Sequence, residues 1–258
     1  MLKYLDLTTI KKKSLITMTN EIETLRKIIN ERRSVRLFDA NQSISFEVVK
    51  EALSLAQLAP NSSNLQLWEF YHITNSELKK DLAAACLGQK AATSADSLVV
   101  FIVRPDFWRK HATLNYQHLT SLSQDEKAKK MVKNYYTKII PFLYRQDPLG
   151  IMTLIRRISS LLLGLKGGPI FRQISATDMR IVAHKSCALA AENFMLAMKA
   201  SGYDTCPMEG FDSKRVKQLL KLPRKAEINM VIGCGVGKKE GIYGERYRVD
   251  FESIYHRL

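Results

Sequence analysis

Residues 97–103 read Ser-Leu-Val-Val-Phe-Ile-Val, an apolar run set between Asp96 and Arg104-Pro105. So short and continuous a run is a strand with no solvated face, and the rest of the chain must cover it on both sides. The flanking pattern supplies the cover. Ile22, Leu25, Ile28 and Ile29 recur at helical spacing over Asn20–Arg32, with Asn20 as the N-cap. Ser45 caps a second helix whose stripe is Val48, Val49, Ala52, Leu53 and Ala56, stopped by Pro60. Trp68–Thr74 reads as a strand and Ser76–Ala85 as a helix. A short helix follows Gly88-Gln89-Lys90. Further on, Ala176–Ser201 is a long helix rich in small and apolar residues, ended by Gly202. Ser213–Leu220 is a short helix and Ala226–Gly233 a strand.

The region 106–175 carries aromatic residues, helical patches over Glu126–Ile140, and an apolar piece, Ile151–Leu165, broken by Arg156 and Arg157. Its twelve Lys and Arg against four Asp and Glu account for over half of the net charge of +15. Ile151–Leu165 is too short and too charged to cross a bilayer, which leaves an interfacial or partner-binding helix, or a cap packed over a binding site. The cap is the preferred reading. The rest, 20–258, is read as one domain with this insertion, preceded by an extension over 1–19.

An apolar fraction of 46% with 25% charged residues excludes disorder and fibrous repeats. The positive charge invites nucleic acid or an anionic membrane, yet the basic residues are dispersed and no DNA- or RNA-binding motif spacing occurs. Cys86, Cys187, Cys206 and Cys234 are far apart, with no C-x-x-C pair, so a reducing cytosol is the expected location and neither a metal site nor a disulfide framework is expected. The five histidines form no i, i+4 metal pair, and no Gly-x-Ser-x-Gly elbow is present. Gly233-Cys234-Gly235-Val236-Gly237 lacks the dinucleotide order and precedes no convincing helix.

The chemistry concentrates in Glu31-Arg32-Arg33-Ser34-Val35-Arg36, where planar guanidinium forks and a hydroxyl suit phosphate oxygens. On this stretch alone a solvated basic turn carries more weight. Its company reverses the balance: Pro60-Asn61-Ser62-Ser63-Asn64-Leu65-Gln66-Leu67-Trp68, then Pro207-Met208-Glu209-Gly210-Phe211-Asp212, then Gly244-Glu245-Arg246-Tyr247-Arg248.

In this order the four segments resemble the FMN-dependent nitroreductase family over about 20–104 and 176–248. The resemblance implies an α+β fold, a three-layer α-β-α sandwich with a mostly antiparallel central sheet, in an intertwined homodimer that holds FMN at its interface. It assigns phosphate contact to Arg32, Arg246 and Arg248, and ribitol or ring contact to Arg33 and Ser34. Arg36 is placed near flavin N1 and O2, where a cation stabilises the reduced ring. Pro60, Asn61, Ser62 and Asn64 inherit a loop that reaches the partner's flavin; Asn61 and Leu67 depart from the family's pattern, and a looser turn is expected. Pro207 and Met208 lead to Glu209, whose backbone N–H is aimed at flavin N5, and to Gly210, which permits close approach. Gln89 and Lys90 lie where relatives carry a polar or basic residue. Asp212 is also read as the cap of the next helix.

The implied activity is ping-pong hydride transfer from NADH or NADPH through FMN to a nitroaromatic, quinone or similar acceptor, with Glu209, Gly210 and Arg36 at the reacting atoms. One alternative is a specialised flavin enzyme of the same fold, a dehalogenase or dehydrogenase, with another donor. The other is a basic protein that meets nucleic acid or a membrane surface and keeps a vestigial FMN site.

Overall fold

The computed structural model describes residues 20–147, 149–165 and 167–258; the expected extension 1–19 lies outside them. Four strands, β1 (Trp68–Ile73), β2 (Ser97–Val103), β3 (Asp204–Met208) and β4 (Glu227–Gly235), form one sheet in the order β1-β2-β4-β3. Every neighbouring pair is antiparallel.

β2 is buried along its whole length, as its composition requires. Side chains alternate across a strand, so Val99, Phe101 and Val103 enter one core while Leu98, Val100 and Ile102 enter a second on the opposite face. The first core is closed by α2 (Phe46–Gln57), the long α9 (Ala176–Ala200) and parts of the insertion. The second is closed by α3 (Ser76–Ala85), α4 (Lys90–Thr93) and α10 (Ser213–Leu219). One apolar strand thus dictates the three layers. Within the first core Phe101 packs between Phe70 and Phe194 at centroid distances of 4.9 and 5.5 Å. Each large side chain buried in this way contributes about 1.5–3 kcal/mol. Small residues, Ala52 and Ala56 on α2 and Ala190 and Ala191 on α9, line this core.

α9 opens with a reciprocal cap: Ser175 Oγ accepts from the Asp178 N–H at 3.1 Å and Asp178 Oδ2 accepts from the Ser175 N–H at 2.9 Å. Two orphan donors of the helix end are satisfied at once.

Two expectations are corrected. Asn20 is already helical, in α1 (residues 20–31), and so is not its cap. β4 runs on to Gly235, so the first three residues of the Gly-x-Gly-x-Gly run belong to the strand. The segment Asp204–Met208, to which no strand is assigned from the sequence, is a strand; its Pro207 is tolerated because β3 is the last strand of the sheet and one of its edges needs no ladder donor there.

The insertion between β2 and α9 is helical: α5 (Trp108–Leu122), α6 (Glu126–Asn134), α7 (Ile140–Tyr144) and α8 (Ile151–Gly164). Between α6 and α7 the chain makes a π-helical turn over Tyr135–Ile139, just ahead of Pro141, which has no N–H to continue a regular ladder. α8 is anchored from within. Arg156, 1% exposed, donates Nη1 to the Ile174 carbonyl at 3.1 Å, Nε to that of Phe142 at 2.6 Å, and Nη2 to that of Arg145.

Candidate active site

The arginine turn lies alongside the final strands. Ser34 bridges Thr205 of β3, the Val35 N–H donates to the Thr205 carbonyl at 3.1 Å, and the Arg36 N–H donates to that of Gly241 at 2.8 Å. Beyond it, the Lys238 N–H donates to the Leu37 carbonyl and Phe38 bridges Gly237. The glycines explain why the backbones approach so closely. A Cβ on Gly235 would stand 2.7 Å from the Phe38 ring, and one on Gly241 would stand 2.6 Å from the Leu37 nitrogen. The run set aside as a dinucleotide motif is a smooth track on which the arginine turn is laid.

This docking brings the two ends of the described chain together. Arg246 donates Nη1 to the Ile29 carbonyl at 3.2 Å and Nη2 to that of Arg32, at the end of α1. Arg33 donates Nη2 to the Gly244 carbonyl at 2.9 Å. The result is a concavity of about 180 Å³ lined by Arg32, Arg33, Ser34 and Arg36 from the first turn and by Tyr243, Glu245, Arg246, Tyr247 and Arg248 from the tail. Five guanidiniums face one carboxylate. Arg246 is held below the ordinary arginine range, first by burial and then by repulsion from Arg248, Arg32 and Arg33. Crowded cations of this kind, with planar forks for bidentate contact, suit a phosphate monoester. The tyrosines were not assigned a role from sequence; Tyr243 lies under Arg36, whose guanidinium carbon is 4.9 Å from the ring centroid.

β3 connects this cavity to the Pro207 motif. Burial raises the Cys206 thiol, with Arg36 and Arg32 pulling the other way, so the field of the cavity reaches the residue before Pro207. At a rise of ~3.3 Å per residue, Glu209 lies roughly 13 Å along from Thr205. Glu209 and Gly210 are exposed. The Gly210 carbonyl accepts from Gln89 Nε2 at 2.7 Å, and the same amide reaches the Cys86 carbonyl at 3.0 Å, so Gln89 sets the position of Gly210 from the far side. Asp212 caps α10, accepting from the N–H groups of Lys214 and Arg215. Lys90 begins α4 and is exposed.

Pro60, Asn61, Ser62 and Asn64 are absent from the lining of the arginine concavity. Their loop is strained and tightly held. Ser63, Asn64 and Gln66 have φ of 57°, 51° and 47°, a left-handed conformation costly for residues with a Cβ. Asn61 Oδ1 accepts from the Gln66 N–H at 2.8 Å, and Asn64 and Asn115 exchange two bonds of 2.7 Å. The π-helical turn sends two consecutive phenols to the same residue: Tyr135 Oη lies 2.7 Å from Ser63 Oγ, and Tyr136 Oη donates to the Ser63 carbonyl at 3.1 Å. Leu67 is buried, and Tyr135, Tyr136 and Asn115 of the insertion tie the loop down. These braces lie in the region whose sequence was least readable. The insertion also borders a separate cleft of about 450 Å³ with Trp108, Arg109 and Tyr144 in its wall.

The model of the Nitroreductase family matches residues 29–237. The chain belongs to that family. Among its relatives are Protein DrgA from Synechocystis, 28% identical over 80% of this chain and 81% of that protein, and the oxygen-insensitive NADPH nitroreductase of Helicobacter pylori, 24% identical over 77% and 80%. Among solved structures, ydfN from Bacillus subtilis superposes with a TM-score of 0.71 at 25% identity, covering 92% of this chain and all of that one. A protein from Exiguobacterium sibiricum in complex with FMN superposes with a TM-score of 0.64 at 21% identity, covering 91% and 97%. The α+β sandwich expected from the residues is the fold of this family. Among the described residues no helix is long and apolar enough to cross a membrane.

Proposed function

We propose that this chain is an FMN-dependent oxidoreductase that takes hydride from NADH or NADPH and passes it to a nitroaromatic, quinone or similar small acceptor. The observation that carries the reading is the shared cavity of Arg32 and Arg246, an anion seat of about 180 Å³ built from the first turn and the tail. Bound FMN would supply hydride acceptance and delivery at N5. The chain's own part is binding and orientation. In this reading Arg32, Arg246 and Arg248 hold the phosphate, and Arg33 and Ser34 meet the ribityl chain. Arg36 keeps a permanent cation near the ring edge where negative charge develops. The exposed Glu209-Gly210 backbone, whose Gly210 carbonyl is held by Gln89, is the surface offered to the ring. The Helicobacter relative, an NADPH nitroreductase by name, supports the nicotinamide donor.

The working unit in this reading is a homodimer. α1 leaves Ile22, Leu25 and Ile29 exposed, and the tail after the arginine pair leaves Phe251, Ile254 and Tyr255 exposed. Apolar surface of this extent seeks a partner. A second chain would also give the Pro60–Asn64 loop, which does not line its own arginine cavity, a flavin to meet.

The test is the spectrum and turnover of the purified full chain. Oxidised flavin absorbance near 450 nm (roughly), with NAD(P)H oxidation on adding nitrofurazone or menadione, is expected. Protein that stays colourless and inert after incubation with FMN overturns the reading.

A further inference from the structure

α8 is built inside out. On a helical wheel of 100° per residue, Ile151, Leu154, Ile155, Ile158 and Leu162 fall on one face, continued by Leu165. That face points to solvent: Leu154 is 58% exposed and Leu162 is 57% exposed, whereas Arg156 on the other side is 1% exposed. The inward face makes its bonds through polar groups. Besides the three carbonyls held by Arg156, Ser160 Oγ donates to the Phe171 carbonyl at 3.0 Å. Asp147 fixes the start of the helix, accepting from the N–H groups of Ile151 and Met152 at 2.8 Å each. The exposed Leu149 and Phe171 extend the apolar surface at its two ends.

Charge indicates what covers this face. From 148 to 177 the chain contains no Asp or Glu, but it does contain Arg156, Arg157, Lys166 and Arg172. Arg157 and Arg172 are exposed. A symmetric contact with the α8 of a second copy would set basic segments against each other. An anionic bilayer surface matches both properties at once: its acyl layer takes the Leu and Ile stripe and its headgroup phosphates take the arginines.

We propose that α8 is a membrane-surface docking helix, lying in the interface of an anionic bilayer with the Ile151–Leu165 stripe inserted and the folded domain outside. The flavin site is not needed for this association, and among the described residues no helix is long and apolar enough to cross the bilayer.

Co-sedimentation of the full chain with vesicles tests it, using equimolar phosphatidylcholine and phosphatidylglycerol against phosphatidylcholine alone, at near-physiological salt. Wild type should pellet with the anionic vesicles and much less with the neutral ones. Ile158→Glu/Leu162→Glu, at sites already exposed, should weaken anionic-vesicle binding by at least roughly tenfold with an unchanged circular dichroism spectrum. Arg157→Glu/Arg172→Glu, which leaves the stripe intact, should weaken it and remove its salt dependence. The proposal is overturned if wild type does not pellet, or if the double Glu variant pellets as well as wild type. It is also overturned if that variant changes the sedimentation-equilibrium mass without lipid, which would make a second copy the occupant.

Discussion

The guanidinium of Arg246 donates to the main-chain carbonyl of Arg32, 214 residues earlier in the chain. This bond, with its companion to Ile29, holds the end of α1 against the tail and sets the width of the anion cavity. Arg246 therefore has a structural and an electrostatic part. Arg246→Ala should lower FMN affinity by tenfold or more, the loss of charged hydrogen bonds on the order of 1.5–3 kcal/mol. Arg246→Lys keeps the charge but lacks the fork that spans both carbonyls, so it should recover only part. Titration of the apoprotein with FMN, followed by quenching of flavin fluorescence, measures both.

Two glycines separate packing from chemistry. A Cβ on Gly210 would meet Gln89 Nε2 at 3.4 Å, an ordinary contact, so Gly210→Ala should change stability by less than about 1 kcal/mol while slowing flavin reduction by NAD(P)H through displacement of the Gln89 amide that sets this backbone. Gly235→Ala, with its Cβ 2.7 Å from the Phe38 ring, should destabilise the fold by about 1–3 kcal/mol. Thermal melts beside stopped-flow reduction distinguish the two. An unchanged reduction rate in Gly210→Ala would remove the role given to that backbone.

Loss of the Asn115 amide releases the strained loop. Asn115→Ala leaves the Asn64 groups without their partners and should cost about 1–3 kcal/mol in a denaturant titration. Hydrogen exchange over 61–66 should rise as Ser63, Asn64 and Gln66 leave their left-handed conformations. Equal protection in variant and wild type would show that the tyrosines of the π-helical turn suffice.

A pH effect follows from Asp106. The Arg104 side chain, hydrogen-bonded to it at 2.7 and 3.0 Å, holds its carboxyl below the ordinary range. A carboxylate depressed in the folded state contributes stability that is complete above its unfolded pKa of about 3.9 and is lost as pH falls through the lower folded value. Asp106→Asn should therefore be less stable than wild type at neutral pH, with the difference narrowing below about pH 4. Urea melts across that range give the comparison; a gap that widens in acid would reverse the sign of the argument.

The legible parts of the sequence were those where a local pattern and its tertiary use agree. Ser97–Val103 and Ser76–Ala85 have the bounds their apolar spacing implies, and Arg32 and Arg246 meet as the order of motifs led one to expect. β3 escaped because Pro207 breaks a strand pattern, and only its place at the sheet edge makes the proline harmless. The Ser175 cap of α9 was spelled out, with Asp178 three residues on, yet went unread beside the apolar run that follows it. The insertion resisted because Arg156 looks like an interruption of an apolar segment, whereas it is the buried side of α8. Pairings such as Asn64 with Asn115 leave no local trace, since nothing near either residue names the other.

The glycine track along Gly233–Gly241 has a consequence for biosynthesis. The arginine turn is made early by the ribosome but has nothing to lie on until β4 and the tail have emerged, and β4 also stands between β2 and β3, so sheet and anion seat are both completed late. A nascent chain stalled between Gly235 and Gly241 would then have every strand of its sheet without the tail that completes its grip on the cofactor.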